Sequence, residues 1–170
     1  MTSAYTIERA RPEDAAALLD YLKIVGGETE NLAFGAEGVG LRMEQEAAYL
    51  EGIRHSERQL YLVAEAEGEI IGTGVLSCGG WPRLAHRGEI SISVKKAMWG
   101  QHIATRMLEE ILRFAREQAK VRILSLEVRS DNARAIGLYC KFGFETVGRF
   151  PGFLQIDGEE VSCDLMRLHL

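Results

Sequence analysis

The sequence predicts an α/β fold of the α+β kind: a mixed, mostly antiparallel sheet of about seven strands with four helices. Seven short segments are rich in β-branched residues or alternate apolar with polar residues, as strands do. Four longer segments repeat apolar residues at helical spacing. The order strand, helix, strand over residues 88–128 predicts one parallel pair, and a hairpin on each side of this pair makes the rest of the sheet antiparallel.

The N-terminal part of the chain is predicted to contain one strand, one helix and a loop. Residues 5–11 alternate and end at Pro12, so they are assigned to a strand. Pro12 is followed by two acidic residues, which is a favoured helix start, and the apolar residues from Leu18 to Val25 continue this helix to a stop at Gly26-Gly27. Residues 26–41 carry five glycines and three glutamates, and we expect them to form a mobile loop.

The middle of the chain is predicted to contain a second helix and three consecutive antiparallel strands. Apolar residues recur at helical spacing between Met43 and Ile53. Residues 60–66 and 70–76 are two strands that meet at Glu67-Gly68, a hairpin signature in which the glycine can adopt a positive φ. After a glycine-containing turn, residues 88–94 form the third of these strands.

The C-terminal part is predicted to contain two helices and three strands. Residues 103–115 place their apolar side chains on one helical face. Residues 123–128 form a nearly unbroken apolar strand, which is typical of a central position in a sheet. The next helix is capped by Asp131 or Asn132 and stops at Gly143. A final hairpin closes the chain with two strands, residues 144–150 and 160–168.

The composition is that of one folded domain spanning residues 1–170. Hydrophobic residues make up 46% and charged residues 26% of the chain, which are ordinary values for a globular protein. The net charge of −5 argues against a nucleic-acid partner, because phosphate backbones are bound by clustered Lys and Arg. Residues 1–8 lack a signal-peptide pattern and no apolar run has the length of a membrane span, so we expect a cytoplasmic protein without a membrane partner.

The cysteines and histidines predict neither disulfides nor a metal site. The three cysteines are widely spaced and include no Cys-x-x-Cys pair, which fits a reducing compartment. The histidines at 55, 86 and 169 lie far apart and show no ligand spacing. We therefore expect that the protein binds no metal. The cysteines are Cys78, Cys140 and Cys163.

The segment between residues 94 and 105 is a candidate anion site. A strand that leads directly into a helix leaves several N–H groups unpaired and pointing in one direction, which suits a phosphate. Gly100 and Ala104 are small enough for close approach, and Thr105 adds a hydroxyl. Neither a Walker nor a Rossmann glycine spacing is present, so an ordinary strand-to-helix turn explains this segment equally well when it is taken alone.

Asn132 and Tyr139 form a second candidate pair. They are seven residues apart, about two helical turns, so they lie on one face of the fourth helix. Two side chains in this arrangement can contact the same elongated ligand. The alternative is that Asn132 only caps the helix and Tyr139 only packs in the core.

Together, these two segments and the strand between them resemble the acetyl-CoA-dependent N-acetyltransferases of the GNAT superfamily. The matching order is Val94, Trp-Gly-Gln-His-Ile-Ala, a long helix, an apolar strand, and Asn-x-x-Ala-x-x-Leu-Tyr-x-Lys-x-Gly-Phe ending at Phe144. The first motif of that family usually reads Gln or Arg, two residues, Gly, one residue, then Gly or Ala. Here Trp99 takes the first place, His102 the first glycine place and Ala104 the last. Either the His102 side chain points away from the phosphates, or its imidazole adds a donor to one of them.

The resemblance implies one GNAT-like domain with acetyl-CoA as the cofactor, in which the two central parallel strands splay apart to admit it. The pyrophosphate would lie on the amides of residues 99–105, and the pantetheine arm would pair with residues 92–94 like an added strand. Lys95, Lys96 and Arg106 could add basic contacts to phosphates, as could Lys141. A solvated surface charge explains each of them equally well. The implied cofactor-binding residues are Ile92, Ser93, Val94, Trp99, Gly100, Gln101, His102, Ile103, Ala104, Thr105, Asn132, Tyr139 and Lys141.

The resemblance also implies direct acetyl transfer to an amine, with Glu89 and Tyr139 as catalytic residues. An alkylammonium has a pKa of about 10.4, so a base must take its proton. Glu89 matches the family position of such a base, and Glu127 on the neighbouring strand is the alternative. Tyr139 matches the position that gives a proton or a hydrogen bond to the leaving sulfur, and the N–H near Val94 would polarise the thioester carbonyl. An acyl-enzyme on Cys140 is not expected, because the sequence indicates no histidine partner.

The expected acceptor is a primary amine of a small molecule, a peptide or a protein N-terminus. By family position, its specificity would come from residues 26–41 and 150–158. The glutamates of the first segment would favour a cationic amine, although a solvated acidic loop explains them equally well. The same fold could instead serve as a non-catalytic acyl-CoA sensor, and both a monomer and a homodimer are compatible with the sequence.

Overall fold

A computed structural model of the chain describes residues 4–170 and confirms a seven-stranded mixed sheet with four α-helices. The strand order across the sheet is β1-β2-β3-β4-β5-β7-β6, and of its neighbouring pairs only β4 with β5 is parallel. In chain order, the strands are β1 (Thr6–Arg9), β2 (Gln59–Ala66), β3 (Glu69–Cys78), β4 (Arg87–Val94), β5 (Ile123–Arg129), β6 (Glu145–Ile156) and β7 (Glu159–His169). The helices are α1 (Ala15–Glu28), α2 (Met43–Ile53), α3 (Ile103–Phe114) and α4 (Ala133–Lys141).

The first helix does not stop at Gly26-Gly27 as predicted, because α1 continues to Glu28. Gly26 is needed for packing instead. A Cβ atom at Gly26 would lie 2.1 Å from the carbonyl oxygen of Gly35, so the absence of a side chain lets the following loop fold back against the end of the helix. The end of α3 also differs from the prediction, since the helix continues after Phe114 as a π-helical turn, Ala115–Ala119.

The two faces of the sheet are covered differently. On one face, α3 and α4 pack on the apolar side chains of β4, β5 and β7 and form the main core, which includes Ile111, Leu124 and Met166. On the other face, α1 and α2 pack over β2 and β3, with Leu18 and Leu50 fully buried between them. On this second face, Glu89 of β4 and Glu127 of β5 are exposed beyond the edge of the helical layer.

The parallel strands β4 and β5 are paired only at their beginnings. Among the residues that the structure describes, the register contains three pairs: Arg87 with Ile123, Gly88 with Leu124 and Glu89 with Ser125. Beyond Glu89 the two strands diverge towards their C-terminal ends, which confirms the splayed central strands. We call the Glu89–Ser125 pair, where the divergence begins, the fork.

A buried carboxylate connects the end of β5 to the C-terminal hairpin. Asp164 on β7 is 6% exposed and accepts hydrogen bonds from Arg149 Nε at 2.8 Å and Ser130 Oγ at 2.7 Å. The hydrogen bond from Arg149, and to a smaller extent the one from Ser130, hold the pKa of Asp164 below its ordinary value. The carboxylate thereby joins both strands of the hairpin to the loop that leads into α4.

We predict that Asp164→Ala lowers the melting temperature by roughly 3–8 °C at pH 7, because Ser130 and Arg149 lose their acceptor. Since the pKa of Asp164 is lowered in the folded chain, its stabilising effect is complete above about pH 5 and is lost as the pH falls through the folded value. The difference from the wild type should therefore shrink in acid. Thermal unfolding followed by circular dichroism at several pH values measures this.

The control for this variant is Glu145→Gln, which removes the exposed ion pair of Glu145 with Arg167. It should change the melting temperature by less than about 3 °C, because exposed ion pairs stabilise little. If Asp164→Ala and Glu145→Gln had equal effects at pH 7, the structural role assigned to Asp164 would be wrong.

Candidate active site

The divergence of β4 and β5 opens a cleft of about 540 Å³. The end of β4, the turn into α3, one face of α4 and the end of α1 surround it. Gln101 is the one predicted cofactor-binding residue that does not line this cleft, and its side-chain amide contacts Met98 Sδ at 3.7 Å. The cleft brings together twelve of the thirteen predicted residues: Ile92, Ser93, Val94, Trp99, Gly100, His102, Ile103, Ala104, Thr105, Asn132, Tyr139 and Lys141.

The start of α3 presents a row of unpaired N–H groups to the cleft. The first backbone hydrogen bond of the helix runs from the N–H of Arg106 to the carbonyl of His102, at 3.0 Å. Within the part of the chain that the structure describes, the amides of residues 100–105 donate no backbone hydrogen bond. N–H groups at a helix start carry partial positive charge and attract anions, so this turn can hold a phosphate group.

His102 adopts a left-handed backbone conformation, with φ of +60° and ψ of +16°. Gly100, two residues earlier, also has a positive φ, of +81°. This conformation is easy for glycine but costs other residues about 1–2 kcal/mol, which explains why glycine usually occupies the place of His102 in the family motif. The chain needs this conformation to turn from the loop into α3, and His102 is an exposed residue at the rim of the cleft.

Trp99 and Arg134 form a stacked pair beside the same turn. The indole Nε1–H of Trp99 donates to the carbonyl of Val94 at 2.9 Å, and the guanidinium of Arg134 lies 4.7 Å from the centre of the indole ring. Trp99 therefore closes residues 95–99 onto the end of β4 and holds a cation next to the free amides. Arg134 lines the cleft, but the sequence did not lead us to predict it as a site residue. Its position in the first turn of α4, two residues after Asn132, could have indicated this role.

The other predicted basic residues have different surroundings. Lys95 Nζ forms an ion pair with Glu69 at 3.2 Å, and the guanidinium of Arg106 stacks on the ring of Tyr5 at 5.0 Å. Neither Lys95, Lys96 nor Arg106 lines the cleft, whereas Lys141 does. The cations that border the cleft are therefore contributed by α4.

Ser93 connects the cleft to the layer of helices on the other face. Its hydroxyl lies 2.9 Å from the hydroxyl of Tyr21 on α1 and 2.8 Å from that of Thr73 on β3. Tyr21 is 2% exposed, and burial is the main cause that raises its pKa to about 12. The three hydroxyls fix the end of β4 to α1, and this contact helps to set the width of the cleft.

Asn132 and Tyr139 both line the cleft and also have structural roles. The side-chain oxygen of Asn132 accepts a hydrogen bond from the N–H of Ala135 at 3.2 Å and so caps α4. Tyr139 is 7% exposed and packs edge-on against Phe144, with 5.5 Å between ring centres. Burial raises the pKa of Tyr139 to about 12, so its phenol stays protonated near neutral pH and can donate a hydrogen bond into the cleft.

The carboxylates predicted as bases lie at and just beyond the fork. They are on the face of the sheet that carries α1 and α2, not on the face that carries α3 and α4. Glu89 has a side chain that is 61% exposed and forms an ion pair with Arg87 at 3.2 Å. Glu127 is exposed on the same face, two residues beyond Ser125 on β5. Of the described residues that line the cleft, none is acidic. A base at Glu89 would therefore meet its substrate from the side of α1 and α2.

The loop after α1 forms one wall of the cleft. The sequence predicted a loop here but did not indicate which of its residues line the cleft. Thr29, Asn31 and Leu32 line the cleft next to Val25 of α1. The start of this loop is held by two contacts: the carboxylate of Glu28 accepts from the N–H of Lys96 at 2.8 Å, and Glu30 lies 3.4 Å from Arg129. The segment that was expected to be a mobile loop is therefore tied to β5 and to the turn before α3.

Other kinds of site find little support among residues 4–170. No group of three or more His, Cys, Asp or Glu side chains is gathered there in a way that could hold a metal ion. In the same residues, no helix combines the length and the apolar surface needed to cross a lipid bilayer. The three cysteines carry free thiols, and Cys140, next to Tyr139, is exposed.

The sequence is similar to one family profile and to several acetyltransferases. The sequence profile of the Acetyltransferase (GNAT) family matches residues 29–144. The L-methionine sulfoximine/L-methionine sulfone acetyltransferase of Pseudomonas aeruginosa is 29% identical over 114 residues, which cover 65% of this chain and 64% of that protein. The N-alpha-acetyltransferase RimI of Mycobacterium tuberculosis is 33% identical over 101 residues, 59% of this chain and 61% of that protein. The match thus spans less than two thirds of the length of either relative.

Solved structures resemble the chain over nearly its whole length. An acetyltransferase of the GNAT family from Streptococcus pneumoniae superposes with a TM-score of 0.94 at 28% identity. The superposition covers 98% of this chain and 100% of that chain. A structure of yncA from Salmonella typhimurium, solved with its cofactor acetyl-CoA, superposes with a TM-score of 0.84 at 21% identity and covers 98% and 94% of the two chains. The second similarity concerns the fold alone.

We predict that His102→Gly changes the free energy of unfolding by less than about 1 kcal/mol, because relief of the left-handed strain offsets the extra freedom of glycine in the unfolded chain. His102→Val should lower it by about 1–3 kcal/mol, since a β-branched residue is poorly tolerated at positive φ. Urea denaturation measures both. Glu109→Val, at an exposed helical position of α3, is the control and should cost less than about 1 kcal/mol. Equal stability of His102→Val and the wild type would contradict this account.

Proposed function

Because the chain belongs to the Acetyltransferase (GNAT) family, we propose that it moves an acetyl group from acetyl-CoA directly to a primary amine. The observation that carries the proposal is the cleft between the splayed strands β4 and β5, which the free amides of residues 100–105 border. Asn132 and Tyr139 lie along the same cleft. We assign the whole of residues 1–170 to one GNAT-like domain of this function.

The proposed cofactor site uses backbone as well as side chains. The amides of residues 100–105 hold the pyrophosphate, with Arg134 and Lys141 as the nearby cations. The pantetheine arm follows β4. Since the N–H of Lys95 bonds to the carbonyl of Ile71 on β3 at 2.9 Å, alternation along the strand directs the N–H groups of Val94 and Ile92 towards the cleft. These two donors are available to carbonyl groups of the arm.

The proposed reaction needs a base, a polarised carbonyl and a group that stabilises the leaving sulfur. Glu89 takes the ammonium proton directly or through water, and the amine nitrogen bonds to the acetyl carbon. As the carbon–sulfur bond breaks with its electron pair on sulfur, the nitrogen releases its second proton to solvent. The N–H near Val94 stabilises the oxyanion. Because the pKa of Tyr139 is about 12, above the value of about 8.5 for an ordinary thiol, Tyr139 stabilises the thiolate by a hydrogen bond rather than by complete proton transfer.

The acceptor is proposed to be an α-amino group. One relative is named for acetylating L-methionine derivatives and the other as an N-alpha-acetyltransferase. Both names support an acceptor amine that is attached to an α-carbon. Such an amine belongs to a small molecule, a peptide or a protein N-terminus. We further propose a cytoplasmic setting, which agrees with three free thiols, and either a monomer or a homodimer.

Saturating acetyl-CoA should raise the melting temperature by linkage, since a ligand at about 100 times its Kd stabilises a protein by about 2.7 kcal/mol. Asn132→Asp keeps the oxygen that caps α4 but loses the amide donor, so it should keep the unliganded stability and show a smaller shift. Differential scanning fluorimetry measures both.

Thiol release from acetyl-CoA across a panel of amines tests turnover. Tyr139→Phe should slow this turnover by roughly 10- to 100-fold and retain the melting-temperature shift with acetyl-CoA. An absent shift at saturating acetyl-CoA overturns the proposal.

Glu89→Gln should lower kcat/KM by about 100-fold, because the proton acceptor is lost. Glu127→Gln removes another exposed carboxylate on the same face and is the matched control, expected to change kcat/KM only a few-fold. Initial rates of both variants and the wild type at one pH distinguish the two. The opposite pattern would assign the base to Glu127.

A further inference from the structure

A row of polar side chains crosses the sheet at the fork. Glu89 on β4 is paired with Ser125 on β5, and Ser125 is paired in turn with Arg167 on β7. Directly paired residues project to the same side of a sheet. The neighbours of Ser125 and Arg167 along their strands, Leu124 and Met166, point into the core under α3 and α4. The three polar side chains therefore share the opposite face.

This part of the face is accessible from solvent. The helices α1 and α2 pack over β2 and β3 on this side. The side chain of Glu89 is 61% exposed and that of Arg167 is 43% exposed, with the partly buried Ser125 between them. A small molecule can therefore contact the row without displacing a structural element.

The row has the spacing of a site for a small zwitterion. Neighbouring strands lie about 4.8 Å apart, so the Cα atoms of Glu89 and Arg167 are separated by about 10 Å across Ser125. Glu89 bonds to Arg87, and Arg167 bonds to Glu145 on β6. The space over Ser125 is therefore left for a group a few ångströms long. The ends carry opposite charges, and a hydroxyl that can donate or accept lies between them.

The charges around the row favour a ligand with both signs. Glu89 is paired with Arg87 at 3.2 Å, and Arg167 donates from Nη2 to Glu145 at 2.8 Å. These two ion pairs balance the charges of Glu89 and Arg167, and Glu127 adds one negative charge to the same face. Arg167 also has donor capacity to spare, since this is its one side-chain hydrogen bond within residues 4–170.

We propose that Glu89, Ser125 and Arg167 form a subsite for a free α-amino acid, which deepens and rests on the acetyl transfer proposed above. The α-ammonium lies between Glu89 and Val94 and gives its proton to Glu89 through water, while Ser125 and Arg167 hold the α-carboxylate. Glu89 belongs to the strand that the thioester arm follows, so the amine lies on the reactive side and the carboxylate is directed away from it. A peptide N-terminus carries an amide in place of this carboxylate and leaves Arg167 without an anion.

The test compares free amino acids with their amides, which differ only in the carboxylate. Thiol release from acetyl-CoA is measured for the twenty amino acids, the twenty amino-acid amides and a hexapeptide with an N-terminal alanine. We expect the best free acids to have kcat/KM at least ten times that of their own amides. Arg167→Gln should lower kcat/KM for the acids roughly 10- to 100-fold, mainly through KM, and leave the amides unchanged. Arg167→Lys should restore part of the preference.

Two further variants control for charge and folding. Arg113→Gln removes an exposed positive charge on α3 and should leave the preference intact. Glu145→Gln releases Arg167 from its ion pair and should lower KM for the acids. The melting temperature and the shift with acetyl-CoA are measured for every variant, so that a change in acid preference is read only from chains that fold and bind the cofactor.

Equal efficiency for acids and amides overturns the inference, and so does a preference that survives in Arg167→Gln. More efficient turnover of the hexapeptide than of any amino acid overturns it as well. In each of these cases acetyl transfer itself stands. If no amine is acetylated, the proposed function fails and the subsite fails with it.

Discussion

The structure depends on the point at which two parallel strands stop pairing. After Glu89 and Ser125, the inner edges of β4 and β5 have no partner strand among residues 4–170, while β3 and β7 hold their outer edges in place. Backbone N–H and C=O groups need partners, so the open edges are paired either with water or with a ligand. The pantetheine arm that we propose to follow β4 carries amides of its own and could pair with these edges as a strand would.

Two kinds of ligand group can reach the fork from different directions. The cleft, the free amides and α4 lie on the side where the strands are open, and the polar row of Glu89, Ser125 and Arg167 lies on the uncovered face of the sheet. In the reaction that we propose, the arm of the cofactor and the amine would therefore meet between the fork and the end of β4. Among residues 4–170, no acidic side chain lines the cleft, and Glu89 and Glu127 lie on the other face, which suits a ligand that carries several phosphates.

The sequence predicted what is local in the chain. Hairpins, helical faces and the two motifs at residues 94–105 and 132–144 depend on neighbours a few positions apart, so the elements and most of the cleft could be located. Contacts between distant residues could not be found in this way. The continuation of α1 through Gly26 depends on its packing against Gly35, and the position of Arg134 depends on the ring of Trp99. The register of β4 and β5, which defines the fork, is also a property of the folded sheet alone.

The pair of Trp99 and Arg134 has an optical consequence. The chain contains two tryptophans, and Trp81 is 76% exposed in the turn before β4 and far more open to water than Trp99, which is 38% exposed. Indole emission depends on nearby charge and water, and Trp99 lies between a guanidinium and the carbonyl of Val94. A phosphate drawn to Arg134 would change that surrounding field, while Trp81 supplies a constant background. The emission of Trp99 would therefore report whether an anion occupies the turn into α3.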